Sequence, residues 1–342
     1  MRLAIIADDL TGAMDAAAPF AERGLAVQLV LCGAPRMPPA AAASDVVAFD
    51  THSRNLPRGK AAAAVARCIA ALPRGTPLFK KIDSTLRGAV VEEIRAAAAG
   101  SSMIVIAPAV PRQGRTVRGG QVFVHGVPLG EAASGGAAPF TGSLRAALAP
   151  LPCVMPDCAT EGDLAEIARA APADALLVGA AGLAQALAQT RFGDATAAPP
   201  PPAPAGPALF VAGSRTAITA QQLAHLRRAR PDAPIETPPA APEADSGAVA
   251  RRLAQRAVER LRRMSAGAVV LIGGDTARAV LEALSVDALR VRGHVIPAIP
   301  WGEAEIAGRS LLVATKAGGF GAPDALLRIA ERLNAASPPS PA

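Results

Sequence analysis

Short apolar runs alternate with alanine-rich helical patterns along most of the chain. In the first part, short apolar runs predict buried strands of a mainly parallel sheet, at residues 3–7, 27–31, 46–49, 78–82 and 103–107. Apolar residues at helical spacing predict the intervening helices, at residues 16–23, 60–72 and 90–99. Repeated units of a strand followed by a helix indicate an α/β fold.

The alternation resumes in the last third of the chain. Strands are predicted at residues 209–212 and 268–272, and helices at 219–228, 248–264 and 277–284. Residues 193–206, between the two parts, are rich in proline and alanine. Because proline fixes φ and lacks a backbone donor, this segment predicts an extended, semi-rigid linker. The predicted fold class is therefore two α/β domains with mainly parallel sheets, joined by a Pro/Ala-rich linker. The N-terminal domain covers 1–192, the C-terminal domain 207–332, and a frayed tail 333–342.

Composition narrows the class of ligand. Of the 342 residues, 51% are hydrophobic and 18% are charged, which allows a sizeable core and excludes disorder of the whole chain. The net charge of +7 favours anionic partners, although a basic solvated surface accounts for it as well. Only 3% of residues are aromatic and the arginines are scattered, so we expect no nucleic-acid partner.

The cysteines and the uncharged stretches predict a cytoplasmic protein. The four cysteines form no CxxC spacing and only four histidines accompany them, which disfavours both a metal site and a disulfide framework. The apolar run at the N-terminus is too short for a signal peptide. The longest uncharged stretch, 195–214, is interrupted by prolines and cannot be a membrane helix, so we expect no membrane partner.

The first polar cluster follows the strand predicted at residues 3–7. Asp8 and Asp9 stand side by side there, and adjacent carboxylates can accept hydrogen bonds from hydroxyls, hold a proton or bind Mg²⁺. Because ligands of open α/β sheets bind beyond the carboxyl ends of strands, both aspartates are candidate catalytic residues. The alternative is that Asp9 only caps the helix that starts near Thr11.

A second cluster, KKIDSTLRG at residues 80–88, also follows a predicted strand. Lys81 and Arg87 can clamp a carboxylate, while Ser84 and Thr85 supply further donors to an anion. A glycine-hinged loop with three arginines, residues 108–120, contains Arg115 and suits an anionic ligand or a lid. Residues 50–54 form a lesser cluster. Ordinary helix capping and solvated surface charge are the alternatives for all three segments.

Three glycine-rich turns lie in the last third of the chain, and each of the first two follows a predicted strand. They are GSRT at 213–216, GGDT at 273–276 and TKAGGFG at 315–321. Glycines let the backbone approach a phosphate, and hydroxyls and helix N–H groups bind it, although single glycine turns are common. The chain contains no GxxxxGK[ST], no complete GxGxxG and no GxSxG, which disfavours a P-loop enzyme, a dinucleotide enzyme and an α/β-hydrolase.

Taken in order, these motifs resemble the four-carbon acid sugar kinase family. The matching segments are IIADDLTGAMDAA, KKIDSTLRG, APAVPRQGRTVRGGQVFVHGVPL, VAGSRTAITAQQL, IGGDTARAVL and TKAGGFG. The resemblance implies an N-terminal domain that binds a sugar acid and a C-terminal domain that binds ATP. It further implies ATP-dependent phosphorylation of the terminal hydroxyl of threonate, erythronate or a 3-oxo-tetronate.

The polar clusters and the resemblance together give the candidate site residues, of which Ser84, Arg115, Thr216, Lys316 and Gly319 come from the clusters alone. The catalytic candidates are Asp8 and Asp9. The substrate-binding candidates are Arg54, Lys81, Asp83, Ser84, Arg87 and Arg115. The nucleotide-binding candidates are Ser214, Thr216, Gly273, Gly274, Asp275, Thr276, Lys316, Gly318 and Gly319.

The expected mechanism uses ATP and Mg²⁺ and follows from the physics of phosphoryl transfer, in which positioning and charge neutralisation dominate. Lys81 and Arg87 would hold the acid's carboxylate, Asp8 or Asp9 would orient or deprotonate the attacking hydroxyl, and domain closure would exclude water. A sugar-acid isomerase or dehydrogenase and a non-catalytic sensor are the alternatives. The isomerase or dehydrogenase would need a metal cluster or a dinucleotide fingerprint, and the sensor would need no base. A long linker also permits a homodimer by domain exchange.

Overall fold

The computed structural model describes residues 1–31, 37–132, 138–193, 201–239 and 246–334. The chain divides into two compact units, Met1–Ala197 and Ala198–Ala342. Both combine helices with a largely parallel sheet, which confirms the predicted fold class. The predicted linker at 193–206 falls where the two units meet in sequence, and it stays a prediction because residues 194–200 lie outside the described residues. Most of the predicted frayed tail, residues 335–342, also lies outside them.

The first unit is built on a parallel sheet whose strand order is β2-β3-β1-β4-β10-β5-β9. The strands are β1 (Leu3–Ala7), β2 (Val27–Leu31), β3 (Val46–Asp50), β4 (Leu78–Lys81), β5 (Ile104–Ala107), β9 (Cys153–Val154) and β10 (Leu176–Gly179). The helices are α1 (Leu10–Ala21), α2 (Pro39–Ala42), α3 (Arg58–Ala70), α4 (Val90–Ala97), α5 (Leu144–Leu148), α6 (Glu161–Ala170) and α7 (Ala181–Arg191). The predicted strands agree with β1 to β5 to within one residue, because strands buried on both faces read as continuous apolar runs.

Helix α1 begins six residues before the predicted start at residue 16. Asp9 is the reason, since its side chain caps the helix by accepting a hydrogen bond from the Gly12 backbone N–H at 3.0 Å. This early start brings the first turn of α1 directly against the end of β1.

The loop predicted at residues 108–120 contains a strand. Arg115–Arg118 forms β6, which pairs with β7 (Gln121–Val124), and β8 (Val127–Pro128) completes a small antiparallel sheet. Gly119 and Gly120 join β6 to β7 with φ of 56° and 74°. Two successive positive φ values are typical of the tight turns that close hairpins, and glycine adopts them without strain.

Gly179 and Gly182 serve packing rather than nucleotide binding. A Cβ on Gly179 would lie 2.5 Å from the Ala107 carbonyl oxygen, and one on Gly182 would lie 2.6 Å from the Ala109 carbonyl oxygen. Because both contacts are with backbone, the glycines are needed for α7 to approach the end of β5.

The second unit has the strand order β12-β11-β13-β16-β15-β14. Its strands are β11 (Ala208–Ala212), β12 (Ile235–Glu236), β13 (Ala268–Ile272), β14 (Ala288–Ile296), β15 (Ile299–Ile306) and β16 (Arg309–Lys316), and its helices are α8 (Ala217–Ala229), α9 (Ser246–Arg263), α10 (Gly274–Ala283) and α11 (Ala325–Asn334). The first four strands in the sheet are parallel, whereas β16, β15 and β14 form an antiparallel meander that was not predicted. Phe210, Trp301 and Ile329 pack in its core.

The cysteines require one correction. Cys153 and Cys158 are free thiols, whereas Cys68 is disulfide-bonded. Sequence spacing did not predict this bond, because a disulfide depends on the distance between two cysteines in the fold and not on their separation in sequence. Among the described residues, no helix is long and apolar enough to span a membrane.

Candidate active site

The charged residues of the first unit lie where β1, β3 and β4 end. Ala7, the last residue of β1, pairs in register with Asp50 at the end of β3 and with Lys81 at the end of β4. The parallel arrangement therefore sends the three following turns to one edge of the sheet. These turns carry six of the predicted residues: Asp8, Asp9, Arg54, Asp83, Ser84 and Arg87.

Arg54 is the centre of this charged cluster. Its Nε donates to Asp8 Oδ2 at 2.6 Å and its Nη2 to Asp8 Oδ1 at 2.9 Å, a bidentate pair. Nη2 also donates to Asp9 Oδ1 at 2.8 Å and lies 3.9 Å from Asp83 Oδ1. Burial alone would lower the pKa of Arg54, but the charges of the three aspartates raise it well above its ordinary value. One guanidinium thus holds the two candidate catalytic carboxylates together.

Asp9 has two roles, because it caps α1 and also belongs to the charged cluster. Besides Gly12 N–H and Arg54, it accepts a hydrogen bond from the Thr11 hydroxyl at 2.7 Å. Burial would raise the pKa of Asp9, but the charges of Arg54 and Lys81 and the bond from Thr11 outweigh burial and lower it. Capping alone therefore does not describe Asp9, which is held ionised among cations.

Asp83 is bound from several sides. Arg87 donates to it through Nε and Nη2, both at 2.8 Å, and the Thr85 hydroxyl donates to Asp83 Oδ2. Burial raises the pKa of Asp83, whereas the bond from Arg87 and the charges of Arg54 and Arg87 hold it well below its ordinary value. Nε and Nη2 of Arg87 are thus engaged by Asp83, and the expectation that Arg87 holds the substrate's carboxylate stays a prediction.

Lys81 is the lysine that faces the charged cluster. Its Nζ donates to the Ile82 carbonyl at 3.0 Å, and the side chain is almost fully buried. A Cβ on Gly12 would lie 2.8 Å from Lys81 Nζ and 2.4 Å from Asp9 Oδ1, so the ammonium sits beside the first turn of α1. An ammonium has three N–H donors, and within the described part of the chain Ile82 accepts one of them. Lys81 can therefore donate to an anionic ligand.

Arg115 and Ser84 complete the predicted set. Burial lowers the pKa of Arg115 and the charge of Asp83 opposes that shift, which places the two side chains within electrostatic reach. Arg115 Nη1 donates to the Gln113 carbonyl at 2.7 Å. Ser84 is buried in the turn after β4. A cavity of about 820 Å³ borders Leu86 in the same turn, but none of the predicted acid-binding residues lines it.

The three glycine-rich turns of the second unit meet at the ends of β11, β13 and β16. Ala212 pairs with Ile272, and Ile272 pairs with Lys316, so the three strands end in line. A Cβ on Gly213 would lie 1.9 Å from Thr276 Oγ1, and one on Gly318 would lie 2.0 Å from Ser214 Oγ. The turns are therefore in direct contact, and the absence of a side chain at these glycines is what permits it.

Hydroxyl groups bind the first and third turns together. Thr216 Oγ1 and Thr219 Oγ1 donate to the Gly318 carbonyl at 2.7 and 2.9 Å, and Thr216 also caps α8. Sequence analysis missed Thr219 and Gln222, which are fully buried. Gln222 Nε2 lies within 3.2 Å of the carbonyl oxygens of residues 320–322, which fixes the end of the third turn.

Lys316 and the start of α10 supply the charges of this region. The Lys316 side chain is buried, and burial lowers the pKa of Lys316 to about 8. Gly273 has φ of 104° and precedes α10, whose first turn contains Gly274, Asp275 and Thr276. Free N–H groups at a helix N-terminus and an adjacent lysine together favour a phosphate group.

Two family models match the chain. Residues 3–151 match a sugar-binding N-terminal domain, and residues 239–326 match a nucleotide-binding C-terminal domain. A D-threonate kinase from Bordetella bronchiseptica is 36% identical, with 97% of each chain covered. The chain belongs to the four-carbon acid sugar kinase family. This membership makes it a kinase and argues against the isomerase or dehydrogenase and the sensor.

A second relative matches nearly the whole chain in sequence, and a solved structure matches it in fold. A D-threonate kinase from Cupriavidus necator is 32% identical, covering 98% of this chain and 99% of its own. Further curated relatives are a 3-oxo-tetronate kinase and a D-erythronate kinase. The crystal structure of a Haemophilus influenzae protein shares the fold with a TM-score of 0.71 and 20% identity, covering 96% of this chain and all of the other.

In this acid sugar kinase, the residues fit a nucleotide better than a protein-bound metal. Gly213 and Gly318 let the three turns pack against one another, because a Cβ at either position would overlap a neighbouring hydroxyl, and the backbone N–H groups that begin α10 lie at one of these turns. Among the described residues, no three His, Cys, Asp or Glu side chains cluster as metal ligands. Mg²⁺ in nucleotide sites usually takes one or two carboxylates together with the phosphates, and Asp275 is the carboxylate of these turns.

Proposed function

We propose that this protein transfers the γ-phosphoryl group of ATP to the terminal hydroxyl of a four-carbon sugar acid, and that D-threonate is the first acid to test. The observation that carries the proposal is the charged cluster of the first unit, in which the carboxylates of Asp8, Asp9 and Asp83 and a buried lysine are held in fixed positions. The two D-threonate kinases, each more than 30% identical over nearly the whole chain, favour D-threonate over the other acids.

The charged cluster suits a polyhydroxylated acid. Carboxylates that are already held by arginines keep lone pairs for hydroxyl donors, and Asp8, Asp9 and Asp83 are all in this position. Lys81 is the donor that we assign to the acid's own carboxylate, with Arg115 as the second cation. Counting Arg54 and Arg87 as well, four cations face three aspartates, so an acid with one negative charge neutralises the site.

The catalytic step does not require a strong base. Because the transition state of phosphoryl transfer is loose in most analyses, the attacking hydroxyl keeps its proton until late, and orientation contributes more than deprotonation. An aspartate with a lowered pKa is a weak base but a good acceptor, which is the role that we assign to Asp9. Asp8, paired bidentately with Arg54, lies next to it and completes the acceptor pair.

The three glycine-rich turns of the second unit would hold the nucleotide. ATP supplies the phosphoryl group, and its charge would be balanced by Lys316, by the N-terminus of α10 and by Mg²⁺ held at Asp275. The hydroxyls of Ser214 and Thr276 lie at these turns and can donate to phosphate oxygens, while the Thr216 hydroxyl donates to the Gly318 carbonyl.

Asp9→Asn separates the charge of Asp9 from its capping role. Asparagine caps helices about as well as aspartate, so the fold should hold while the ionised acceptor is lost. We expect kcat to fall by about 10² to 10³ with a change in Tm of less than about 3 °C. Steady-state kinetics with saturating ATP and acid measure the change, and a kcat near that of the unmodified protein would exclude Asp9 from the reaction.

The affinity for ATP should fall as the pH rises through about 8. Burial lowers the pKa of Lys316 to about 8 in the nucleotide-free protein, whereas a bound phosphate favours the charged form of Lys316. Above that pH, Lys316 is neutral in the free protein and must take up a proton before it can pair with a phosphate, which weakens the binding of ATP. In the unfolded chain, Lys316 stays protonated up to about pH 10.4. The free energy of unfolding of the nucleotide-free protein should therefore rise between about pH 8 and that value.

Calorimetric titration of ATP at several pH values tests this dependence. Lys316→Arg provides the control, since a guanidinium stays protonated throughout the range and should flatten the profile. A profile of the unmodified protein that is already flat would place Lys316 away from the phosphates.

The function itself is tested by a coupled ADP-release assay with Mg·ATP and a panel of acids. The panel contains D- and L-threonate, D- and L-erythronate and their 3-oxo forms. Turnover with one of these acids supports the proposal and names the substrate. If no acid is turned over while ATP still binds in a thermal-shift experiment, the substrate lies outside this class, and the absence of both would contradict the proposal.

A further inference from the structure

A buried group of polar side chains connects the strands and turns that carry the charged cluster. Lys80 and Lys81 are neighbours on β4 and so point to opposite faces of the sheet. Whereas Lys81 faces Asp9, Lys80 is fully buried and forms an ion pair with Glu93 of α4 at 2.8 Å. Lys80 Nζ also donates to the carbonyl oxygens of Ile6, at 3.2 Å, and Lys81, at 2.8 Å. The ion pair therefore ties α4 to the ends of β1 and β4.

Glu93 also reaches the turn that follows β3. The Ser53 hydroxyl donates to Glu93 Oε1 at 2.6 Å and lies 2.6 Å from the Thr51 hydroxyl. Thr51 Oγ1 in turn donates to the Ala7 carbonyl at 2.8 Å. All of these side chains are buried. The turn at residues 51–54 is thus fixed on one side to α4 and on the other to the end of β1.

This turn needs such support because its backbone is strained. His52 has φ of 48°, a left-handed conformation that residues other than glycine seldom adopt. The turn then brings Ser53 N–H and Arg54 N–H to the Asp8 carbonyl at 3.0 and 3.2 Å. The orientation of Arg54 toward Asp8 and Asp9 therefore depends on the conformation of this turn, which the bond from His52 N–H to Asp50 Oδ1 at 2.9 Å also supports.

A buried ion pair contributes little net stability compared with apolar residues of similar size. The pair of Lys80 and Glu93 is therefore better explained by the position that it gives to α4 and to the turn at residues 51–54. We propose that Ser53 and Glu93 are positioning residues, which set the turn that places the Arg54 guanidinium against Asp8 and Asp9 for binding of the acid. Neither side chain needs to touch the substrate. The kinetic part of this inference rests on the proposed function.

Ser53→Ala tests the inference with little disturbance, because it removes the hydroxyl and leaves the pair of Lys80 and Glu93 intact. We expect KM for the acid to rise at least about tenfold while KM for ATP stays within about twofold. Ser44→Ala is the matched control, since Ser44 is also buried and donates a single hydrogen bond, to the Ala40 carbonyl at 2.7 Å, away from the turn. Equal changes in KM for both variants would overturn the inference.

A second measurement requires no activity at all. The variants Ser53→Ala and Asp8→Asn and the double variant form a cycle, read out by urea unfolding. If Ser53 acts by positioning Arg54 against Asp8, then Ser53→Ala should destabilise the protein less when Asp8 is already replaced by asparagine. We expect the factor by which Ser53→Ala raises the unfolding equilibrium constant to be at least about threefold smaller in the Asp8→Asn background. Additive losses would overturn the inference. The cycle decides it even if the unmodified protein phosphorylates none of the acids, an outcome that would contradict only the proposed function.

Discussion

Arg54→Ala is expected to remove acid-dependent ATP turnover, with a loss in kcat/KM of at least about 10³, and to destabilise the protein by about 3–5 kcal/mol. Arg54 is the side chain that binds Asp8 and Asp9 together and lies near Asp83. Without it, buried carboxylates repel one another and lose their positions. Activity is measured by ADP release, and stability by urea unfolding.

Arg58→Ala is the matched control for Arg54→Ala. Arg58 lies four residues away, is 79% exposed and pairs with Glu92 at 3.5 Å. Exposed pairs of this kind contribute little, so stability should change by less than about 1 kcal/mol, and turnover should be unchanged. Arg54→Lys should fall between the two, because lysine keeps the charge but cannot form the bidentate pair with Asp8. If Arg54→Ala folded and worked normally, the charged cluster would not be the acid site.

Gly318→Ala is expected to weaken ATP binding by at least about 10² and to leave acid binding unchanged. The added Cβ would lie 2.0 Å from Ser214 Oγ and 2.5 Å from Ser214 Cβ. Rotation of the serine side chain moves Oγ but not Cβ, so the two turns must separate. That separation would dismantle the contact between the turns after β11 and β16.

Calorimetric titrations of ATP and of the acid into the same variant measure the two affinities separately. Gly319→Ala is an informative comparison, since a Cβ there would meet no atom of the described residues within 4 Å. Any loss of ATP affinity in Gly319→Ala therefore reports contact with the nucleotide itself, and it should be smaller than the loss in Gly318→Ala. Normal ATP affinity in Gly318→Ala would place the nucleotide elsewhere.

Seven strands of the two parallel sheets, β1 to β5, β11 and β13, could be predicted from sequence, whereas β9, β10, β12 and the antiparallel parts were not predicted. Six of the seven are mainly apolar, which is the pattern of a strand buried on both faces, and β4 combines Leu78 and Phe79 with two lysines. Strand β14 instead alternates buried and partly exposed residues and contains Arg290, Arg292 and His294. Its mixture of charged and apolar residues gave no continuous run, and the same holds for β6.

The residues of the charged cluster could be predicted, but not their pairing. Sequence position places Arg87 and Lys81 at a strand end, yet it does not show that Arg87 binds Asp83 and that Lys81 is the donor left for a ligand. The full burial of the Lys80 side chain and its partner Glu93 could not be predicted either. Only the alternation of side chains along β4, with Glu93 opposite Lys80, explains why it is buried. The cytoplasmic location and the homodimer stay predictions.

The most direct measurement is ³¹P NMR of the products formed from ATP and D-threonate. We expect one phosphate ester per ADP, with the phosphorus coupled to the protons of the terminal carbon. Such coupling would show that the phosphoryl group moves to the hydroxyl that Asp8 and Asp9 are assigned to orient. Release of inorganic phosphate together with ADP, with the acid unchanged, would contradict the account.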